Sequence, residues 1–269
     1  MPARSAKRLK RALSSRPVSV LIYLSVMAAL IGASLKGAEA MGYNWQWYRI
    51  PQYFFEHTEG GVTLGEIPWG LVGTITLSTL AFVLALGIGL LVALLRLSDL
   101  IVGRAVARIF LEFVRNIPLL VLLYVFYYVL GPIFGMDRYT ASVLCLAVFH
   151  GALMSEIFRG GITSIPAGQW EAAKSIGMTT GQIYTYIILP QSIRFMLPPM
   201  TSEVVNVIKS SAIVSVIAVV ELTTVGRNII SDTYMSFEIW FTIAAVYMVV
   251  TLIISTFASY LERRYAVQD

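Results

Sequence analysis

Long apolar runs separated by short polar segments are the feature that most constrains how this chain can fold. They lie at 18–35, 69–95, 110–134, 140–158, 196–220 and 238–260. A helix crosses the hydrocarbon of a bilayer with roughly 20 mainly apolar residues. Because lipid offers no partner to an open sheet edge, each span should be helical. The sequence therefore predicts an all-α polytopic membrane protein with six transmembrane helices.

Composition and charge agree with this class and indicate an orientation. Hydrophobic residues make up 57% of the chain and charged residues 13%, which excludes a soluble domain as the default. With the N-terminus in the cytoplasm, fifteen Lys and Arg residues fall on the cytoplasmic side and four on the other. That asymmetry fixes topology and predicts cytoplasmic N- and C-termini. The net charge of +5 is explained by anionic lipid headgroups, without any nucleic acid.

The N-terminal part divides into a basic tail at 1–17, an apolar run at 18–35 and an extracytoplasmic loop at 36–68. The run could be a signal peptide, and Ala38-Glu39-Ala40 is a weak candidate cleavage site. We interpret it as a transmembrane helix. Aromatic residues in the loop favour an interfacial belt over a ligand site.

A polar-to-amphipathic stretch at 169–190 stands between two apolar runs. Good helix formers end at Gly177, which suits the left-handed residue after a helix. A capping box at 179–182 then starts a second helix, which Pro190 is expected to interrupt. Two short helices at a rigid corner make a projecting element, with a small apolar face carrying Ala172, Ala173 and Ile176. This predicts a docking element, although an ordinary helical turn in a loop is the simpler alternative.

The fifth apolar run carries a polar stripe. At about 100° per residue its members occupy roughly one third of the helix circumference: Glu203, Asn206, Lys209 and Ser210. A charge facing lipid at the bilayer centre costs roughly 2.5–3.5 kcal/mol, so the stripe should face the bundle or a water-filled path. Glu203 and Lys209 could simply pair with neighbouring helices. Alternatively, Lys209 would meet a substrate carboxylate, and Glu203 and Asn206 its ammonium.

The sequence offers no catalytic chemistry. There is no Gly-rich Walker A segment with Lys-Ser/Thr, so another chain would have to hydrolyse ATP. His57 and His150 lack metal-ligand spacing, which argues against a metal enzyme, and His150 is expected to be a hydrogen-bonded packing residue. Cys145 lies in an apolar run as a buried thiol. We expect no catalytic residue, metal or cofactor.

Several motifs together resemble one family. They are GTITLS at 73–78, LEFVRNIP at 111–118, EIFRGG at 156–161, LPQ at 189–191 and LPP at 197–199. Joined to the 169–190 stretch, they make the chain similar to permeases of ABC importers for polar amino acids such as histidine, glutamate, glutamine, arginine and opines. The resemblance covers 69–265, and the run at 18–35 is an addition to a five-helix core. Residues 201–213 look closest to the glutamate and aspartate branch.

The resemblance implies a type I ABC importer permease in the cytoplasmic membrane of a bacterium. The 160–190 loop would dock to the ATPases through a set of seven residues: Glu171, Ala172, Ala173, Ser175, Gly177, Leu189 and Pro190. The implied partners are two ABC ATPase subunits, a second permease of the same or a homologous chain, an extracytoplasmic amino-acid-binding protein and membrane lipid. A basic or amide amino acid remains open as cargo beside glutamate and aspartate.

Two other function classes are compatible with a polytopic chain. A secondary amino acid transporter driven by an ion gradient usually shows two related halves with broken helices in matching places, and the sequence shows no such duplication. A membrane scaffold or enzyme without cargo would leave the 169–190 stretch without a role. We therefore favour the importer permease.

Overall fold

The computed structural model describes residues 16–58 and 61–265, and the chain divides into two units, 1–46 and 47–269. The first unit contains helix α1, Arg16–Ala40. Its apolar segment, Val18–Ser34, is shorter than the long apolar helices of the second unit. The helix predicted at 18–35 is therefore present, and its role as a membrane span stays a prediction.

The second unit begins outside the spans with a 3₁₀ helix, Trp47–Tyr53, and a β-hairpin. Strands β1, Phe55–Thr58, and β2, Gly61–Leu64, are antiparallel, with Phe55 opposite Leu64. The all-α prediction thus omits a small hairpin. The hairpin is compatible with the membrane argument, because the sheet edge is forbidden only where lipid surrounds it.

The other regular elements described in this unit are helices. In chain order the helices are α2, Glu66–Leu97; α3, Ile101–Arg115; α4, Leu119–Phe134; α5, Arg138–Thr163; α6, Ala167–Ser175; α7, Thr180–Ile217; α8, Leu222–Thr233; and α9, Ser236–Tyr265.

Four of these helices are long and apolar enough to cross a membrane: α2, α5, α7 and α9. They contain the runs predicted at 69–95, 140–158 and 238–260 and most of the run at 196–220. Helices α3 and α4 become a fifth candidate if they are taken together, although they are bent by 105° at the break between them. The five-helix core implied by the resemblance is thus recognisable.

The third predicted span, 110–134, starts too early. Residues 110–115 belong to α3, and the break between α3 and α4 lies at 116–118. Pro118 lacks an N–H and disfavours helical geometry at Ile117, so the chain turns there before α4 begins at Leu119. The apolar side chains before the break extend the hydropathy signal and conceal the turn.

Helix α7 continues through three prolines, which corrects the predicted interruption at Pro190 and the predicted span start at 196. A π-helical turn, Ile183–Ile188, precedes Pro190 and shifts the hydrogen-bond register. Gln191 Nε2 donates to the Ile187 carbonyl at 2.8 Å, and Ser192 Oγ donates to the Ile188 carbonyl at 2.7 Å. These side chains give additional donors to the carbonyls beside the π turn, where the backbone pattern is disturbed.

Small residues allow α2 and α5 to approach closely in the core. A Cβ added to Gly89 would lie 2.5 Å from Met154 Cβ, and one added to Gly151 would lie 2.8 Å from Ile88 Cγ2. Close approach through small residues is how membrane helices gain dispersion energy without a hydrophobic driving force. This pair of helices forms the scaffold on which the polar groups of α5 and α7 are placed.

Helix α8 lies between the last two predicted spans and was absent from the sequence prediction. Its N-cap, Glu221, accepts hydrogen bonds from the Thr223 and Thr224 backbone N–H groups at 2.8 and 2.6 Å. The Leu222 N–H donates to Thr74 Oγ1 of α2 at 3.0 Å. Burial raises the pKa of the Glu221 carboxyl, although these donors favour its charged form. The Glu221 cap thus starts α8, and the Leu222–Thr74 hydrogen bond joins α8 to α2.

Candidate functional site

The predicted corner after α6 is present, and its backbone geometry explains why it is rigid. Gly177 has a φ of +81° and follows the helix end. Its N–H donates to the Lys174 carbonyl at 2.9 Å, and the Met178 N–H donates to the Ala173 carbonyl at 3.2 Å. This pair of bonds is the Schellman arrangement, which satisfies carbonyls at a helix end. A left-handed residue is required there, and glycine adopts that conformation without strain.

The predicted capping box starts the next helix directly after the corner. Thr179 Oγ1 accepts from the Gln182 N–H at 3.4 Å, and Gln182 Oε1 accepts from the Thr179 N–H at 2.9 Å. Two backbone donors at the start of α7 are thus satisfied reciprocally. The chain between α6 and α7 is therefore defined at both ends by local bonds.

The inner side of the corner is a small hydrophobic cluster. Ala173 of α6 packs with Ile183 and Ile188 of α7, and all three are buried. Trp170 and Tyr184 contact edge to face, with ring centroids 5.1 Å apart. Such aromatic pairs add about 0.5–1.5 kcal/mol beyond the area they bury. Sequence reasoning missed this pair, whose signal was one aromatic residue on each helix.

The outer side carries most of the predicted docking residues. Their described side chains are exposed: Glu171, Ala172, Ser175, Gly177, Leu189 and Pro190. Ile176 is also exposed, at 77%. The face expected to contain Ala172, Ala173 and Ile176 is therefore divided, because Ala173 points into the cluster. A partner chain would meet the exposed residues, and Ala173 would hold the corner together.

The polar stripe of α7 is divided in a similar way. Glu203 is buried, and its Oε1 lies 2.6 Å from His150 Nδ1 on α5. Asn206 Nδ2 donates to Glu203 Oε2 at 3.0 Å. His150 is thus a buried hydrogen-bonded residue, as expected. Both carboxylate oxygens of Glu203 contact neighbouring groups of the protein, which agrees with the alternative that this residue pairs with a neighbouring helix.

Asn206 and Lys209 lie on the exposed side of the same helix, and Ser210 is half-buried. Among the described residues, Lys209 has no ion pair, so the alternative in which it pairs with a neighbouring helix is not observed there. Because Asn206 Nδ2 is engaged by Glu203, its Oδ1 is left as the acceptor that can be offered outward.

A polar cavity of about 290 Å³ adjoins Asn206 between α7 and α9. Its lining is mostly small or hydroxyl-bearing: Thr201, Ser202, Val205, Asn206, Ser255, Ala258 and Ser259. Ser255 and Ser259 were not singled out from the sequence, because their run reads as plain lipid-facing helix. Packing of α9 against α7 brings them to the stripe. The arrangement can bind a small polar molecule through hydroxyl and amide groups.

An ion-pair cluster on the other part of α5 was also missed. Glu156 pairs with Arg96 at 2.8 Å, with Arg115 at 3.2 Å and with Arg159 at 3.0 Å. One carboxylate thereby connects α2, α3 and α5. The residue types are visible in the sequence, but nothing there indicates that positions 60 and 41 residues apart meet.

Comparisons with known proteins identify the same core. The family model described as "Binding-protein-dependent transport system inner membrane component" matches residues 85–267. This range contains the corner after α6, the stripe of α7 and the cluster at Glu156.

The chain aligns with most of the length of its curated relatives. The glutamine transport system permease protein of Escherichia coli (strain K12) is 34% identical over 194 residues, which are 71% of this chain and 89% of the relative. The glutamate/aspartate import permease protein of the same strain is 29% identical over 240 residues, or 83% of this chain and 96% of the relative.

A solved structure agrees in fold. It is described as an amino acid ABC transporter with histidines, and it is 40% identical to this chain with a TM-score of 0.69. The match covers 74% of this chain and 93% of that one. The helical core is therefore shared along nearly the whole length of that structure.

Proposed function

Because the chain belongs to the family of binding-protein-dependent transport system inner membrane components, we propose that it is the permease subunit of an ATP-driven importer for a polar amino acid. The observation that carries the proposal is the exposed, rigid corner between α6 and α7. A left-handed glycine, a capping box and an aromatic pair define the geometry of this corner, so a displacement of α6 by a partner would also move α7.

The proposed coupling runs from this corner into the membrane. The ATPases would contact the exposed residues of α6 and the exposed Leu189 and Pro190 of α7. Because α7 is continuous from Thr180 to Ile217, a displacement at its start reaches the polar stripe along one helix. Helix α7 thus connects the corner with the polar stripe, and movement of the corner would alter access to the stripe.

The proposed cargo path follows the exposed side of α7. Lys209 would contact the substrate carboxylate, and Asn206 Oδ1 would accept from its ammonium. Ser210 and the hydroxyls of the adjoining cavity would bind further polar groups. Glu203 acts through Asn206, because its carboxylate and His150 fix the amide in one orientation. This replaces direct contact between Glu203 and substrate.

The substrate class rests on the relatives and on the charges of the path. One relative is described as a glutamine permease and another as a glutamate/aspartate permease. Lys209, which has no ion pair among the described residues, and the amide oxygen of Asn206 suit the α-carboxylate and α-ammonium that all amino acids share. We propose an amide or acidic amino acid as cargo, with final selection by an extracytoplasmic binding protein.

The proposed assembly has two ATPases, a second permease of the same or a homologous chain and a binding protein, in the cytoplasmic membrane of a bacterium. The corner at 169–190 and both termini would face the cytoplasm. The 36–68 loop would face the opposite side.

Transport by the reconstituted complex tests the function. The chain, its ATPase and its binding protein are placed in proteoliposomes, and uptake of labelled glutamine, glutamate, aspartate and arginine is measured with and without internal ATP. We expect ATP-dependent uptake of glutamine or an acidic amino acid. Uptake that needs an ion gradient and no ATP would instead indicate a secondary transporter.

Cross-linking tests the docking surface separately. A photo-reactive residue at Ile176 should yield an adduct with the ATPase. The same residue at Val220, which is 66% exposed beyond the far end of α7, is the control and should yield none. Equal adducts from both positions would contradict docking at the corner.

A further inference from the structure

A basic cavity lies beside α3 and has no role in the proposed transport cycle. Its volume is about 270 Å³, far above the roughly 10–15 Å³ that a water needs. Five arginines line it: Arg96, Arg104, Arg108, Arg115 and Arg159. Two glutamates, Glu112 and Glu156, also line it, which leaves a net charge of +3 on the lining residues.

The carboxylates of the cavity do not neutralise these arginines. Glu156 is shared by Arg96, Arg115 and Arg159. Glu112 Oε2 accepts from the amide of Asn116 at 3.0 Å, and within the described residues Glu112 forms no ion pair with an arginine.

Two arginines of α3 remain without a carboxylate. Arg104 donates to the Ser98 carbonyl at 2.8 Å, and neither it nor Arg108 has an acidic partner within the described part of the chain. Both side chains are exposed and one turn apart on α3. Together they present two guanidinium groups to an anion entering the cavity.

Helix α3 also has the character of a helix that lies along a membrane surface. Side chains on the face away from Arg104 and Arg108 are apolar and exposed: Val102, Val106, Ile109 and Phe113. The helix is bent by 105° from α4. If α4 crosses the bilayer, α3 lies nearly in its plane. A basic face opposite an apolar face is typical of interfacial helices.

We propose that this cavity binds the phosphate of an anionic phospholipid in the cytoplasmic leaflet. Arginine forks match phosphate oxygens in geometry and charge. Basic pockets between helices on the cytoplasmic side are suited to anionic headgroups. The apolar face of α3 would hold the helix at the membrane surface, so that the arginines on its other face lie at the depth of lipid phosphates, an argument that does not apply to free phosphate. The inference rests on the cytoplasmic placement of α3 in the proposed topology.

Lipid binding to the purified full chain tests the inference without any transport assay. Phosphatidylglycerol and phosphatidylcholine are titrated separately in detergent, and bound lipid is counted by native mass spectrometry. We expect preferential binding of phosphatidylglycerol. At roughly 1 kcal/mol for each arginine near the surface, R104Q/R108Q should weaken phosphatidylglycerol binding about 30-fold. The single variant R108Q, which breaks no hydrogen bond of the described chain, should weaken it about 5-fold.

A matched control removes two cytoplasmic cations elsewhere. K174Q/R194Q should bind phosphatidylglycerol as the unmodified chain does, because neither side chain lines the cavity. Unchanged binding in R104Q/R108Q, or equal loss in the control, would overturn the proposal.

Inorganic phosphate is added as a competitor to separate the two sources of a phosphate group. Displacement of phosphatidylglycerol only at a large excess of phosphate supports the lipid. Displacement at equal concentrations would overturn the proposal in favour of a free anion. Because no ATPase or amino acid is present, failure here is distinct from failure of the transport function.

Discussion

Replacement of Gly177 by valine should loosen the corner through backbone strain alone. A Cβ added at this position meets no heavy atom within 4 Å, so side-chain overlap contributes nothing. The φ of +81° is the cause of strain, because an L-residue pays roughly 1–2 kcal/mol in the left-handed region and a β-branched residue is the least tolerant.

The chain can avoid that strain only by giving up the corner. Leaving the left-handed conformation breaks the Gly177 and Met178 hydrogen bonds, which span 2.9 and 3.2 Å. At about 1 kcal/mol each, this costs about 2 kcal/mol. By either route the corner loses about 1–2 kcal/mol, so its open population rises about 5- to 30-fold.

Hydrogen exchange of the purified chain measures this directly. Peptides covering 167–190 should exchange about 5- to 30-fold faster in Gly177→Val. Gly177→Asn should fall between valine and glycine, because asparagine tolerates the left-handed region. Gly168→Ala is the matched control, since Gly168 has no left-handed φ and equally open space. In the reconstituted complex, the valine variant should lose substrate-stimulated ATP hydrolysis while the spans remain inserted.

Two results would refute this reasoning. Wild-type exchange in Gly177→Val would mean that the surrounding cluster, and not the glycine, determines the corner. Faster exchange with normal coupling would mean that the corner is mobile without consequence, and that docking lies elsewhere on the chain.

Three further predictions follow from the topology and the stripe. Reporters fused within 169–190 should be cytoplasmic and those within 40–65 extracytoplasmic, and a reversed pattern in fusion assays would disprove the orientation. Lys209→Met should leave the thermal unfolding midpoint unchanged but weaken carboxylate-dependent uptake about 10- to 100-fold, because a charged contact of about 1.5–3 kcal/mol is lost. Unchanged uptake would remove Lys209 from the path. Glu203→Leu should lower the unfolding midpoint, because His150 Nδ1 loses its buried partner at a cost of about 1–3 kcal/mol. His150→Leu added to it should restore part of the loss, and simple additivity of the two effects in the thermal scans would contradict their pairing.

Local signals allowed parts of the structure to be predicted well. The Gly177 corner and the Thr179 cap depend on residues within one or two turns, so their sequence pattern was sufficient. Hydropathy located the long apolar helices for the same reason, because solvation of a span depends on its own side chains. The bend before α4 was missed because apolar residues on both sides of it extended the hydropathy signal. The hairpin was missed because the aromatic residues of its loop were interpreted as an interfacial belt.

Prolines in α7 misled the prediction because their cost depends on what surrounds them. In water a proline inside a helix leaves carbonyls free and ends the helix. Here a π turn shifts the hydrogen-bond register before Pro190, and the side chains of Gln191 and Ser192 donate to the neighbouring Ile187 and Ile188 carbonyls, so the helix continues. The rule that a proline ends a helix is correct for an isolated helix, but the π turn and the side-chain hydrogen bonds allow α7 to continue.

By itself the sequence determined that this chain spans a membrane by helices and carries a rigid polar corner, because both follow from local side-chain chemistry. Only the tertiary structure decided which polar groups of α7 are free. It paired Glu203 with His150, turned Ala173 inward and left Lys209 exposed. A helical pattern gives the direction of each side chain but not the helix it meets. That partner is set by contacts between residues tens of positions apart, and these contacts determine which charges are neutralised and which can bind a ligand.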